Sequence, residues 1–193
     1  HALSYAVFKP RRLSAEELRD SMLAVSGELN RAIGDIPIRP EINREAALQP
    51  RQVMGTFAEA WQASPLPEQR NRRSIYALKI RGQLDPFMEV FNSPSPDLSC
   101  EAREASTVTP QVFALFNSET TLDRALALAT RVQRESGSGQ PAIEHLFQLV
   151  FNRAPTAEER EMCQDHWNGM IERQRGLVFS RNPIPHEVVR EAV

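Results

Sequence analysis

The chain is poor in the groups that usually announce a chemistry. It has two cysteines, Cys100 and Cys163. They are too few for a disulfide scaffold and fit no metal or haem spacing, so cysteine usage does not reveal the compartment. No sign of charge dominates: 23 Lys and Arg against 25 Asp and Glu leave −2 at pH 7. There is thus no global basic field for nucleic acid, and no nucleic-acid partner is expected. No apolar run approaches the roughly 20 residues that span a bilayer, so no direct membrane insertion is expected. No signal peptide is visible, and the chain reads as a piece excised from a longer polypeptide. The GxGxxG, P-loop, GxSxG, HExxH and CxxCH patterns are all missing. No repeat of solenoid period is present.

What is there is globular. The chain has 193 residues, 41% apolar and 25% charged, enough for one ordinary domain with a full core. The expectation is a single domain over residues 1–193. Capped amphipathic segments outnumber strand-like runs, so the fold class is mainly α: an irregular helical domain with long Pro-rich connections and at most a small β-sheet.

The segments follow from local rules. Ser14 and Glu17 have capping-box spacing, with Leu13 placed to staple onto Leu18. Leu18, Met22, Val25, Leu29 and Ile33 form a helical stripe, with Gly34 as its stop. Pro37, Pro40 and Pro50 predict an irregular crossing segment. From Gln52 to Trp61 the spacing of Val53, Phe57 and Trp61 fits a helix, which Gly55 weakens. Ser74 to Ile80 is the one alternating run, with Tyr76, Leu78 and Ile80 on one face, and predicts a strand. Asp85-Pro86 and Thr109-Pro110 read as an N-cap followed by a first-turn proline. Phe87, Val90 and Phe91 form the apolar side of the first helix; Val112, Phe113 and Phe116 share helical spacing on the second. Further helices are predicted from Thr121 to Arg134, from Pro141, and from a second capping box at Thr156 to Glu159. Their inward stripes are Leu122, Leu126, Ala129 and Val132; then Ile143, Leu146, Phe147 and Val150; then Cys163, Trp167, Met170 and Ile171. Asn182 to Pro185 ends regular structure, and another helix begins near Val188.

Candidate site residues lie between Arg72 and Ser118, where strand, Pro/Ser/Asp loop, thiol and hydroxyl-rich helix entry come together. Arg72 and Arg73 are able to hold an anion bidentately, although such a pair more often salt-bridges to nearby carboxylates. Cys100 is expected to be a buried, reduced, inert thiol rather than a nucleophile. His145 and His166 read as structural histidines. The loop from Asp97 to Thr109 is dense in donors and acceptors and pinned by Pro94, Pro96 and Pro110. With Arg72 and Arg73 it is the expected contact surface. The plainer alternative is that Arg103 and Arg73 pair with Asp97, Glu101 or Glu104 and pin the loop internally.

Three stretches, RRLSAEELRDSMLAVSGELN, RRSIYALKIR and FNSPSPDLSCEAREASTVTPQVFALFNS, together with NRAPTAEE, resemble the planctomycete cytochrome-associated C-terminal domain of unknown function, of PSD1 type. The resemblance covers residues 11–193. Recurrent positions of that family fall on Arg73, Tyr76, Ser99, Cys100, Arg103, Thr107, Pro110 and Asn117. The resemblance implies a C-terminal place in a large exported protein, behind a companion domain and often a cytochrome-c-like haem domain. It implies an extracytoplasmic setting and a further C-terminal helix missing from this chain, but no established activity. No cofactor is expected in the chain itself.

Two functions are expected to compete. The first is a non-catalytic accessory module that packs on upstream domains of the same polypeptide or recognises a polymer such as a glycan. It is favoured by the missing catalytic patterns. The second is a hydrolase or half-site centred on Arg73, Ser99, Cys100 and Arg103.

Overall fold

A computed structural model describes residues 11–175 except 35, 43, 48, 49, 54, 55, 60, 84 and 105. The expected break at Asn182 to Pro185 and the helix near Val188 lie outside these residues. The described fold is mainly α, with one two-stranded hairpin. The chain divides into two compact units: His1–Ala24 with Glu28–Asp123, and Val25–Gly27 with Arg124–Val193.

Helix α1 spans Ala15–Ser26, and all but its last two residues belong to the first unit. Ser14 Oγ accepts the Glu17 amide at 3.3 Å, while Glu17 Oε2 accepts the Ser14 amide at 2.9 Å. This is the reciprocal bonding the spacing predicts. The predicted stripe is shifted. The buried face is Ala15, Arg19, Leu23 and Ser26, whereas Ile33 is exposed. The stop is also earlier than Gly34. Gly27 takes φ +82° and the Glu28 amide reaches back to the Leu23 carbonyl at 2.9 Å, closing the helix seven residues sooner.

A short turn, α2, spans Arg44–Ala47. The segment read as an uncertain helix around Val53 is the hairpin instead: β1, Pro50–Val53, pairs antiparallel with β2, Thr56–Glu59. The turn α3 covers Pro67–Arg70. The predicted strand from Ser74 to Ile80 is not one. Ser74–Tyr76 is a 3-10 turn, followed by isolated bridges from Ala77 to Ile38 and from Ile80 to Gln83. The cause lies in α1. Asp20 Oδ1 accepts both the amide and the hydroxyl of Ser74, at 2.8 and 2.7 Å, so that amide is not available to a ladder. Tyr76, Leu78 and Ile80 are nonetheless half-buried, as the alternation required.

Next come α4, Pro86–Val90, and α5, Thr109–Asn117, which pack on one another. Asp85 caps α4 as predicted, accepting the Phe87 amide at 3.0 Å. The cap of α5 is Val108 rather than Thr109, and the Gln111 side chain bonds back to the Val108 amide at 3.3 Å.

Helix α6 spans Glu119–Ser136 and carries the chain from the first unit into the second. Of its predicted inward residues, Val132 is buried and Leu126 half-buried, while Leu122 and Ala129 are exposed. The second unit continues with α7, Gln140–Phe151, and α8, Ala157–Arg175, packed against each other. Ile143 and Phe147 are buried, Leu146 is half-buried and Val150 is exposed. No described residue of α8 is buried.

Candidate functional site

The candidate residues do not converge on one point. Arg72 is buried and turns inward. Its guanidinium donates to the carbonyls of Ala32 (3.2 Å), Ile36 (3.3 Å) and Gly34, and stacks 4.2 Å over the Tyr76 ring. Tyr76 Oη in turn accepts the Gly34 amide at 3.3 Å. Arg72 therefore braces a loop through carbonyl oxygens, not through an anion or a carboxylate. Arg73, one residue on, is exposed.

From Asp97 to Thr107 the loop lies largely in solvent. Asp97 Oδ1 accepts the Gly82 amide at 2.8 Å and ties the loop to the preceding turn. Ser99 is exposed, and so is Cys100, which corrects the expectation of a buried thiol. Its thiol donates to the Ala102 carbonyl at 3.1 Å. The reason is a long-range pull. Arg103 leaves the loop to form a two-armed pair with Glu16 of α1, at 2.6 and 3.2 Å, so the chain around Cys100 spans the surface and does not tuck beneath α5. Arg103 thus braces the loop, but against α1 and not against Asp97, Glu101 or Glu104. Glu16 also meets Lys79 Nζ at 3.6 Å. Burial pushes the Glu16 carboxyl upward, and the hydrogen bond and charge of Arg103 outweigh it, leaving the group below its ordinary range.

Thr107 Oγ1 accepts from Arg12 at 2.8 Å, and Arg12 also reaches the Ser106 carbonyl and Gln111 Oε1, the latter at 2.6 Å. Gln111 is buried. Its Nε2 donates to the Val90 carbonyl (2.9 Å) and to Asn92 Oδ1 (3.3 Å), and Asn92 Oδ1 also accepts the Ser106 hydroxyl at 2.8 Å. These bonds lock the end of α4 to the start of α5. Sequence reasoning missed Arg12, Glu16, Asn92 and Gln111. The Gln111 role was legible as a glutamine three residues past a cap, and Asn92 as a residue that tolerates the left-handed φ of 61° it adopts. Nothing local marked Arg12 or Glu16.

Two concavities border these residues. A small cavity of about 70 Å³ is walled by Trp61, Pro40, Leu78, Met88, Pro94 and Pro96, and Glu16, Lys79, Gln83, Asp85 and Glu89 also border it. The Trp61 indole is fixed by donating to the Pro40 carbonyl at 2.7 Å. Both polar atoms of the Gln83 carboxamide are shielded and without a hydrogen-bond partner. Burial pushes the Asp85 carboxyl up, against the amides of Phe87 and Met88 that it caps and the charge of Arg19. A wider groove of about 570 Å³ runs along Phe87, Val90, Phe113 and Ala114, with Glu41, Asp85, Asn117, Glu119 and Asp123 around it. Asn117 is the one candidate residue that lines it.

The two histidines stay apart from this region in sequence and in unit. His145 Nε2 pairs with Glu135 at 2.8 Å within the second unit, and His166 is exposed on α8. Among the described residues no cluster of His, Cys, Asp and Glu could hold a metal ion. No helix among them is long and apolar enough to cross a membrane.

No curated protein and no solved structure matches the chain. A family model does, over residues 2–167, and its description is PSD1, protein of unknown function (DUF1553). That match takes in α1 through most of α8 and both concavities, so the chain belongs to the PSD1 (DUF1553) family.

Proposed function

We propose that this chain is a non-catalytic accessory module that packs on a companion domain of a larger exported polypeptide. The observation that supports the reading is the outer face of α5. Val112, Phe113 and Phe116 stand 52%, 61% and 75% exposed on a nine-residue helix, at spacings that put them on one face. Large apolar side chains grouped in this way mark surfaces that meet a partner. The groove beside them has an apolar floor and an acidic border, which suits a partner segment carrying apolar residues flanked by Lys or Arg. The bonds of Gln111 to the Val90 carbonyl, Asn92 and Arg12 hold the start of α5 against the end of α4, which lowers the ordering cost of docking.

On the same reading the protein works outside the cytoplasm of a planctomycete-type bacterium. Any electron transfer belongs to a cytochrome-c-like domain elsewhere in the polypeptide, and this chain binds no haem. A Soret band in the haem-reconstituted chain would contradict that part.

The test of docking is direct. Phe113→Asp with Phe116→Asp should weaken binding to the separately produced upstream segment about tenfold or more, with the melting temperature of the chain retained. Undiminished binding would refute the reading.

A further inference from the structure

The loop over residues 31–37 is held in one shape with apolar side chains in solvent. Every described residue in it is exposed, and Ile33 and Ile36 stand 86% and 76% exposed. Yet the backbone beneath them is tied at several points. Arg72 is buried and donates to the carbonyls of Ala32, Gly34 and Ile36. Tyr76 Oη accepts the Gly34 amide, and Asn30 Oδ1 accepts the Ala32 amide at 2.9 Å. A rigid loop that keeps two branched aliphatic side chains in water has little ordering left to lose when a partner covers it. The flanks add charge. In RAIGDIPIR, Arg31 and Arg39 stand against one carboxylate, Asp35. Both arginines are exposed, and among the described residues neither guanidinium has an acidic partner.

The groove beside α5 has the opposite character. Its floor includes Phe87, Val90 and Phe113, and Glu119 and Asp123 border it. Those two carboxylates are four residues apart at the start of α6, so they share one side of that helix. Both are exposed, and among the described residues neither meets a cation. At about 570 Å³ the groove has room for the tip of a loop. An exposed loop with isoleucines between two arginines thus matches a concave apolar floor edged by two carboxylates, in shape, polarity and sign. No described residue of the loop lines the groove of its own copy, so the two surfaces are joined between copies.

We infer that the 31–39 loop of one copy seats in the α4–α5 groove of a second copy. Ile33 and Ile36 then cover the phenylalanines, and Arg31 and Arg39 meet Glu119 and Asp123. The inference rests on the reading of the α5 face as a docking surface, and names the occupant that face takes when no companion domain covers it. Loop and groove are different patches, so the contact is head to tail and each copy offers both halves. Its ion pairs lie at an exposed rim, so it weakens as salt is added.

Sedimentation velocity of the full chain tests the contact. The sedimentation coefficient should rise with protein concentration up to about 1 mM and fall back as salt is added. Arg31→Glu with Arg39→Glu should leave the chain monomeric, and so should Glu119→Lys with Asp123→Lys. Both variants should keep the melting temperature, because all four side chains are exposed. Ile33→Asp repeats the loop test should the arginine reversal not fold. Mixed in equal amounts, the two reversed variants should associate again, because each loop then finds a groove of opposite charge. A merely structural role for these residues would restore nothing on mixing. A chain that stays monomeric over this range, association untouched by the substitutions, or a mixture no heavier than its parts would each overturn the assignment. If association is absent while the upstream segment still docks through α5, the contact between copies falls and the module reading stands.

Discussion

Helices α1 and α8 begin in the same way and end in opposite circumstances. In RRLSAEE, Arg11 clasps Glu17 at 2.7 and 2.5 Å and donates to the carbonyl of Arg12. In RAPTAEE, Arg153 clasps Glu159 at 2.7 and 2.7 Å and donates to the carbonyl of Ala154. Each glutamate also completes a capping box, with Ser14 in one case and Thr156 in the other. Beyond the first turn the two diverge. α1 buries Ala15, Arg19, Leu23 and Ser26, and sends Glu16, Arg19 and Asp20 to hold the loops around the candidate site. α8 leaves Met162, Trp167, Met170 and Ile171 exposed. The start of a helix is a local matter of caps and charges. What the helix then carries is decided by segments far away in the chain.

The largest expected effect that separates the two helices is at Arg19. Its guanidinium donates to the carbonyls of Arg70 and Arg72 and to Ser74 Oγ at 2.7 to 3.1 Å in a buried setting. Arg19→Ala strands those acceptors and should cost about 3 kcal/mol in chemical denaturation. Trp167→Ala on α8 should cost less than about 1 kcal/mol, because its surroundings are already wet. Comparable losses at the two sites would erase the contrast.

Gln111→Leu comes next. It breaks the joint between α4 and α5 and leaves the Val90 carbonyl unpaired, for an expected cost of about 2 kcal/mol. A neutral result would show that Arg12 and Asn92 hold the joint without it. A smaller effect is expected at Arg103→Ala. The guanidinium is half exposed, so its pair with Glu16 should contribute only about 0.2–1 kcal/mol despite its short distance. A loss well above that would mean the loop from Asp97 to Thr107 depends on this one tie.

The smallest effect probes the likeness rather than the difference. Glu17 and Glu159 are each held down to about 2 from an ordinary 4.5, first by the arginine hydrogen bond and then by the backbone amide of the cap. A depressed folded pKa contributes stability that is present above the ordinary value and fades as pH falls toward 2. Carboxyl carbon titrations by NMR should therefore show both glutamates changing charge near the same low pH. Arg11→Ala should raise the midpoint of Glu17 and leave Glu159 where it is. Widely different midpoints in the unaltered chain would show that the two starts are not equivalent.

These contrasts explain what could be read in advance. The mainly α class, both capping boxes and the Asp85 cap followed from neighbours in sequence, and each is in the structure. The stripe that runs on to Ile33 points to Gly34 as the end of α1; the reach of the Glu28 amide back to Leu23, which closes the helix at Gly27, is a feature that spacing does not reveal. Ser74 failed as a strand because Asp20, 54 residues away, claims its amide. Cys100 failed as a core residue because Arg103 is drawn to Glu16, 87 residues away. Of the candidate site, the Arg72–Tyr76 stack is assembled by near neighbours, whereas the pairing of Arg12 with Gln111 spans 99 residues.

The proposal that the α5 face is a docking surface is tested most directly by hydrogen exchange, comparing the isolated chain with the longer polypeptide that the proposal requires. Amides of Thr109–Asn117 and Pro86–Val90 should exchange more slowly in the longer polypeptide, while α8 exchanges alike in both. Unchanged exchange over α4 and α5 would contradict the account, and so would protection confined to α8.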